Sequence, residues 1–167
     1  MGYEIRRAVT DDAKYLANII VESWKATYID IIPEDEIAKF LDKERRQKQF
    51  ERFIENGEVI LIGIYDDVPC GLIFANKDND EQLAECGSIY SMYFLKEYWG
   101  KGLGTKLMDE IINILKNEGC KQVSLWVYET NIRARNFYEK NGFIFDGTKK
   151  HSHFSNKPIE LRYVKQI

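Results

Sequence analysis

The sequence predicts one α/β (α+β) domain built on a mixed sheet. Three observations carry this. A chain of 167 residues suits one domain and leaves little room for two. Apolar segments of strand character interleave with segments of helical spacing, in the order strand, helices, three strands, helix, strand, helix, two strands. Hydrophobic residues are 44% and aromatics 13%, enough to build a core, and no repeat, low-complexity tract or linker interrupts them.

Each element has a local reason. Residues 3–9 alternate as a first strand. Thr10 reads as an N-cap, with Asp11 and Asp12 favoured by the dipole of the helix that follows. Ala13, Leu16, Ala17, Ile20 and Trp24 then form one apolar stripe, to about Tyr28. Pro33 with Glu34, Asp35 and Glu36 reads as a fresh helix start. The charged stretch 42–55, carrying Phe50, Phe53 and Ile54, reads as an amphipathic helix with a solvated face. Residues 59–65 are a continuous apolar strand, 66–69 a turn and 70–75 the returning strand, an antiparallel hairpin. Residues 77–81 are a polar loop and 88–95 another strand. After a glycine cluster, Leu103, Leu107, Ile111 and Leu115 mark a helix closed by Gly119. A strand at 123–128, a helix at 131–140 and strands at 143–145 and 159–164 complete the order.

Charge and composition exclude several classes. Lys and Arg number 24 against 27 Asp and Glu, a net charge of −3, which is not the basic excess of a nucleic-acid binder. No apolar run approaches the roughly 20 residues of a membrane helix. The N-terminus has no signal-peptide stretch, and Arg6 stands where a myristoylation signal wants Ser or Thr. Cys70, Cys86 and Cys120 are an odd set at no zinc-like spacing. They read as small buried hydrophobes in a cytoplasmic, reduced protein.

The informative segment is a strand, then Trp99-Gly100-Lys101-Gly102-Leu103-Gly104-Thr105, then a helix. Helix N-termini carry unpaired N–H groups and partial positive charge, and glycines there let a phosphate approach the backbone. The nucleoside-triphosphate loop is not met, because five residues beyond Gly100 stands Thr105 rather than Gly-Lys. The dinucleotide fingerprint also fails, since Thr105 stands where its third glycine belongs. The segment 92–104 instead resembles the signature of the GCN5-related N-acetyltransferases (GNAT): Arg or Gln, two residues, Gly, one residue, Gly or Ala. The block 131–143, beginning Asn131-Ile132-Arg133-Ala134, resembles that family's later helix and strand, one helix and one strand downstream. One departure is visible, with Trp99 where the family usually has Arg or Gln.

The resemblance implies a single N-acetyltransferase domain over 1–167, with about seven mostly antiparallel strands flanked by about four helices. It implies acetyl transfer from acetyl-CoA to an amine. Backbone amides around Gly100, Lys101, Gly102, Leu103, Gly104 and Thr105 would hold the pyrophosphate. Met92, Tyr93 and Phe94 would pair with the pantetheine arm and polarise the thioester carbonyl, in a cleft opened by splaying from strand 123–128. By resemblance Asn131 hydrogen-bonds pantetheine, Ala134 gives it room, and Tyr138 is the general acid. A thiolate leaving group, whose thiol has a pKa near roughly 8.5, can take back a proton from a tyrosine near roughly 10. Several relatives carry a catalytic Glu where this chain has Tyr90, so the base is unassigned, with Glu85 through a water, Tyr90, or ordered water alone as candidates.

The acceptor pocket in this family is built by the first helices. Trp24, Tyr28, Ile32 and Pro33 resemble a bacterial subgroup that includes polyamine acetyltransferases of the PaiA type. A cation would suit their aromatic walls and the acidic neighbours Asp30, Glu34 and Asp35. Trp24, Tyr28 and Tyr90 are therefore the expected acceptor contacts. His151 and His153 have no third ligand, and no metal is expected. The expected partners are a small-molecule amine and, as in many relatives, a second copy in a homodimer, with no nucleic acid and no membrane. The alternatives are acetylation of a protein N-terminus or lysine, and a CoA-binding regulatory domain without turnover.

Overall fold

The computed structural model describes residues 2–78 and 81–167. The strands are β1 (Tyr3–Arg7), β2 (Ile60–Tyr65), β3 (Val68–Asp78), β4 (Cys86–Phe94), β5 (Gln122–Tyr128), β6 (Ile144–His151) and β7 (Ile159–Gln166). The helices are α1 (Ala13–Thr27), α2 (Glu34–Ile37), α3 (Lys43–Glu55), α4 (Leu103–Asn117) and α5 (Ile132–Lys140). One seven-stranded sheet runs in the order β1-β2-β3-β4-β5-β7-β6. Every neighbouring pair is antiparallel except β4 and β5.

Strand alternation distributes two cores. Ile60, Ile62 and Leu72 face one way and meet Leu16, Ile19 and Ile20 of α1 and Phe50 of α3. Leu61 and Ile73, one residue along, face the other way and meet Leu107, Met108, Ile111 and Leu115 of α4. Successive strand side chains point to opposite faces, so a sheet covered on both sides reads as continuous apolar runs. That is why residues 59–65 carry no polar alternation. A third cluster of Ile32, Ile37 and Phe154 ties α2 to the segment after β6. Ile32 is thus a core residue of the α1–α2 connection.

Four differences from the sequence reading stand out. Thr10 is not a helix cap: a 3-10 turn spans Thr10–Asp12, and the buried Asp12 carboxylate accepts from the Val9 N–H at 2.8 Å and the Arg6 guanidinium at 2.6 Å. β3 already begins at Val68 and absorbs Lys77 and Asp78 of the expected loop, whose Asn79 and Asp80 lie outside the described residues. Pro69 sits where the β2–β3 ladder shifts register, a place that tolerates a missing donor. β6 runs to His151, well past the apolar Phe143–Phe145 segment, because its exposed half is held by ladder bonds to β7 rather than by burial. The short α2 stands apart from α3, giving five helices rather than about four. Cys70, Cys86 and Cys120 are buried and form no disulfide.

Candidate active site

The site begins at an irregularity in β4. Ser91 opposes Phe74 of β3 while Ile89 opposes Ala75, so Tyr90 is an extra, bulged residue. β4 pairs with β5 only from Cys86 to Ile89. A bulge bends its strand and ends local pairing, so beyond Tyr90 the strands part while β5 stays paired with β7 through Tyr128. The expected splay is therefore present.

The free edge of β4 can be read from its hydrogen bonds. The Leu95 N–H donates to the Cys70 carbonyl at 2.9 Å. Alternation along an antiparallel ladder then turns the backbone groups of Met92 and Phe94 away from β3 and into the cleft. The Phe94 carbonyl is already occupied, accepting from Ser23 Oγ at 2.9 Å and from Trp99 Nε1 at 2.9 Å. The cleft edge thus presents the Met92 N–H and carbonyl and the Phe94 N–H. The Phe94 ring lies over Gly71, where a Cβ would stand 2.3 Å from it.

At the end of this edge a 3-10 turn, Lys96–Tyr98, leads to the glycines. Gly100 (φ +73°) and Gly102 (φ +75°) take the left-handed conformation, which costs other residues roughly 1–2 kcal/mol. Gly102 is the N-cap of α4, whose first turn holds no acidic residue, so the positive end of the dipole is uncompensated. Gly104 serves a different need: a Cβ there would lie 3.1 Å from the Phe137 ring. The glycine turn, Met92–Phe94 and α5 enclose a cavity of about 330 Å³. Met92, Tyr93, Phe94, Trp99, Gly100, Lys101, Gly102, Leu103, Gly104, Thr105, Ala134 and Tyr138 all line it, with Arg133.

Trp99 has a visible task in place of the family's Arg or Gln. Its indole N–H ties down the Phe94 carbonyl, and its ring carries the Arg133 guanidinium at 3.5 Å from the centroid. A cation carried on α5 thus stands beside position 99. Arg133 lines both this cavity and a second one.

The second cavity, about 320 Å³, opens between β4 and β5 and is lined by Trp24, Tyr28, Tyr90, Tyr93, Trp126, Tyr128, Asn131, Lys150 and Glu160. Met92, Tyr93, Ala134 and Tyr138 line both cavities, so Tyr138 stands where they meet. α5 sets it there: Asn131 caps the helix, its Oδ1 accepting from the Ala134 N–H at 3.3 Å. The Tyr138 ring is then wedged against Phe137 and Phe143. Burial pushes the Tyr138 phenol well above the ordinary tyrosine range, the neighbouring Tyr93 adds to this, and Arg133 opposes it. Tyr28 and Tyr93 share a hydrogen bond at 3.3 Å, and burial raises both phenols. Burial pushes Tyr128 up to about 12. These hydroxyls are neutral donors at physiological pH.

Two expectations about the acceptor side are corrected. Glu85 sits at the far start of β4, paired with Lys121 at 2.7 Å, and lines neither cavity, so it is not a base for this site. Tyr90 does line the second cavity, but its ring leans on Phe74 at 5.2 Å. Asp30 on the α1–α2 connection and Glu34 and Asp35 at the start of α2 are exposed and line neither cavity. The carboxylate that does line the second cavity is Glu160 of β7, which opposes Tyr128 in the β5–β7 ladder. Glu160, Tyr128, Trp126, Lys150 and Arg133 all escaped the sequence reading. The available signal was a lone acid inside an apolar terminal strand, meaningful only once β7 is known to lie beside β5. His151 hydrogen-bonds the Lys157 carbonyl and His153 packs on Phe154. Among the described residues no group of three or more His, Cys, Asp or Glu is placed to hold a metal, and no helix is long and apolar enough to cross a membrane.

A parted β4–β5 pair beside a glycine-opened helix defines an acyl-CoA-dependent transferase fold. The comparisons agree: the acetyltransferase (GNAT) family model matches residues 19–143, and the chain belongs to that family as an acetyl-CoA-dependent N-acetyltransferase. It is 28% identical over 165 residues, covering 96% of this chain and 99% of the relative, to a spermidine N(1)-acetyltransferase of Thermoplasma acidophilum. It superposes with a TM-score of 0.79 and 26% identity on the crystal structure of a PaiA N-acetyltransferase of that organism in complex with coenzyme A, over all of both chains. An acetyltransferase from Salmonella typhimurium, solved with acetyl-CoA, shares the fold at a TM-score of 0.76 and 16% identity, over 99% of this chain and 94% of that one.

Proposed function

We propose that this protein moves the acetyl group of acetyl-CoA to a primary amine of a small molecule, with a polyamine as the acceptor, by direct attack in a ternary complex. The observation that carries this is the meeting of two cavities at Tyr138, one ending at the glycine turn and the other walled by aromatic rings around a carboxylate. The relative named for spermidine acetylation supports the polyamine.

In this reading the amides from Lys101 to Thr105 bind the diphosphate at the positive end of α4. Pantetheine lies along the free edge of β4 as an added strand, bonding to Met92. An N–H of that edge points at the thioester oxygen and stabilises the oxyanion formed on attack. The amine enters through the second cavity, loses its extra proton to water, and attacks the thioester carbon. As the C–S bond breaks, Tyr138 donates its phenolic proton to the sulfur, which burial keeps in place until then, and the second proton shed by the attacking nitrogen passes through water to restore the phenol as the amide forms. The Phe94 carbonyl, held by Ser23 and Trp99, keeps the edge from drifting as the cleft fills.

The test is an acceptor panel followed by free-thiol release from acetyl-CoA, with spermidine, spermine, monoamines, amino acids and N-terminal peptides as separate arms. Release with spermidine or spermine supports the polyamine. Release confined to another amine removes the polyamine and keeps the transferase, and release confined to peptides replaces the small acceptor by a protein. Binding of acetyl-CoA with no release in any arm removes catalysis altogether.

A further inference from the structure

One corner of the second cavity already holds an alkylammonium, and it is the protein's own. Lys150 of β6 places its Nζ 4.0 Å from the centroid of the Trp126 ring and 3.9 Å from Glu160 Oε2. Ladder register explains the meeting: Lys150 opposes Glu160 across β6 and β7, and Glu160 opposes Tyr128 across β7 and β5. Trp126 lies two residues before Tyr128 on the same sheet face. Among the described residues, Glu160 is the sole carboxylate lining this cavity. Its side chain is 21% exposed, whereas that of Lys150 is 47% exposed. Glu160 is therefore the more enclosed partner, and Lys150 faces solvent.

We infer that Trp126 and Glu160 form a seat for a second, non-reacting ammonium group of the acceptor, and that Lys150 occupies this seat until the acceptor arrives. The inference rests on the small-amine reading and adds to it a residue-level basis for preferring diamines and polyamines to monoamines. An aromatic face and a partly buried carboxylate together favour an ammonium over a neutral or anionic group. An acceptor with one amine has nothing to place there once that amine is at the thioester. One with two or more amines gains the seat but must displace the Lys150 ammonium. Loss of the Glu160 charge weakens the seat, and loss of the Lys150 charge removes its internal competitor.

The experiment compares wild type with Glu160→Gln and Lys150→Met, each first shown by calorimetry to bind CoA and hence to be folded. The readout is the ratio of kcat/KM for 1,4-diaminobutane to that for n-butylamine. We expect Glu160→Gln to lower the ratio tenfold or more, Glu160→Asp to recover part of it, and Lys150→Met to raise it severalfold. A ratio within twofold of wild type in Glu160→Gln or in Lys150→Met overturns the seat while leaving the transferase intact. If wild type binds CoA but acetylates no amine, the proposed function itself falls. The seat is then read by calorimetric titration with spermidine: tenfold weaker binding in Glu160→Gln supports it, and equal binding overturns it.

Discussion

Gly102→Ala tests the diphosphate cradle where its geometry is most demanding. Gly102 caps α4 at φ +75° and ψ 0°, and an added Cβ would meet nothing within 4 Å. The cost is therefore conformational, not steric. An L-residue in the left-handed region costs roughly 1–2 kcal/mol, which for a domain of this size lowers Tm by roughly 2–8 °C. Relief of that strain rotates the peptide planes at the start of α4 and misdirects at least one amide. A hydrogen bond to a charged group is worth about 1.5–3 kcal/mol, so CoA binding should weaken about tenfold to a hundredfold. Calorimetry with CoA and with pantetheine, which lacks the diphosphate, separates this from general loosening of the cleft. A variant that keeps its CoA affinity within twofold, or that loses affinity for pantetheine to the same degree, would refute the cradle.

Three other substitutions probe different links. Tyr138→Phe should lower kcat by roughly 10²–10⁴ with CoA affinity held within twofold. Because burial raises this phenol, its ionisation should not reduce the wild-type rate between pH 8 and 10, and a variant retaining half the rate would exclude the acid role. Gly71→Ala forces a Cβ to within 2.3 Å of the Phe94 ring. It should destabilise by about 1–3 kcal/mol and weaken CoA binding as that ring is pushed into the cleft, both read from thermal melts with and without ligand. Asp12→Asn should cost about 2 kcal/mol at pH 7, since the buried carboxylate loses its charge-assisted bonds to Arg6. The hydrogen bond from Arg6 holds the Asp12 carboxyl below its ordinary range. Its stabilisation is thus present above the unfolded-state pKa near 3.9 and disappears as pH falls through the folded value. Urea melts should show the wild-type advantage shrinking below about pH 4.

What was legible in the sequence was local. Helical periodicity in residues 103–115, continuous apolar runs in 59–65 and glycines at a strand-to-helix junction act within one or two turns of chain. Most of the residues lining the first cavity stand in two short segments of sequence, because it is assembled around one strand edge, one turn and one helix, while Asn131 lines the second cavity instead. Asp30, Glu34 and Asp35 misled for the same reason: they neighbour Tyr28 in sequence, but the α1–α2 connection and the first turn of α2 turn them to solvent.

By itself, then, the sequence determined the element order, the left-handed turn that only glycine adopts cheaply, and the tyrosine carried on α5. Tertiary structure decided which side chains share the second cavity. Lys150, Glu160 and Trp126 lie on three strands whose adjacency depends on register, and a one-residue slip would send each to the opposite face. The bulge at Tyr90 is equally non-local, visible only against Phe74 and Ala75 of the neighbouring strand. A cleft made by strands that cease to pair is a property of the sheet, since no single segment records where its neighbour leaves it.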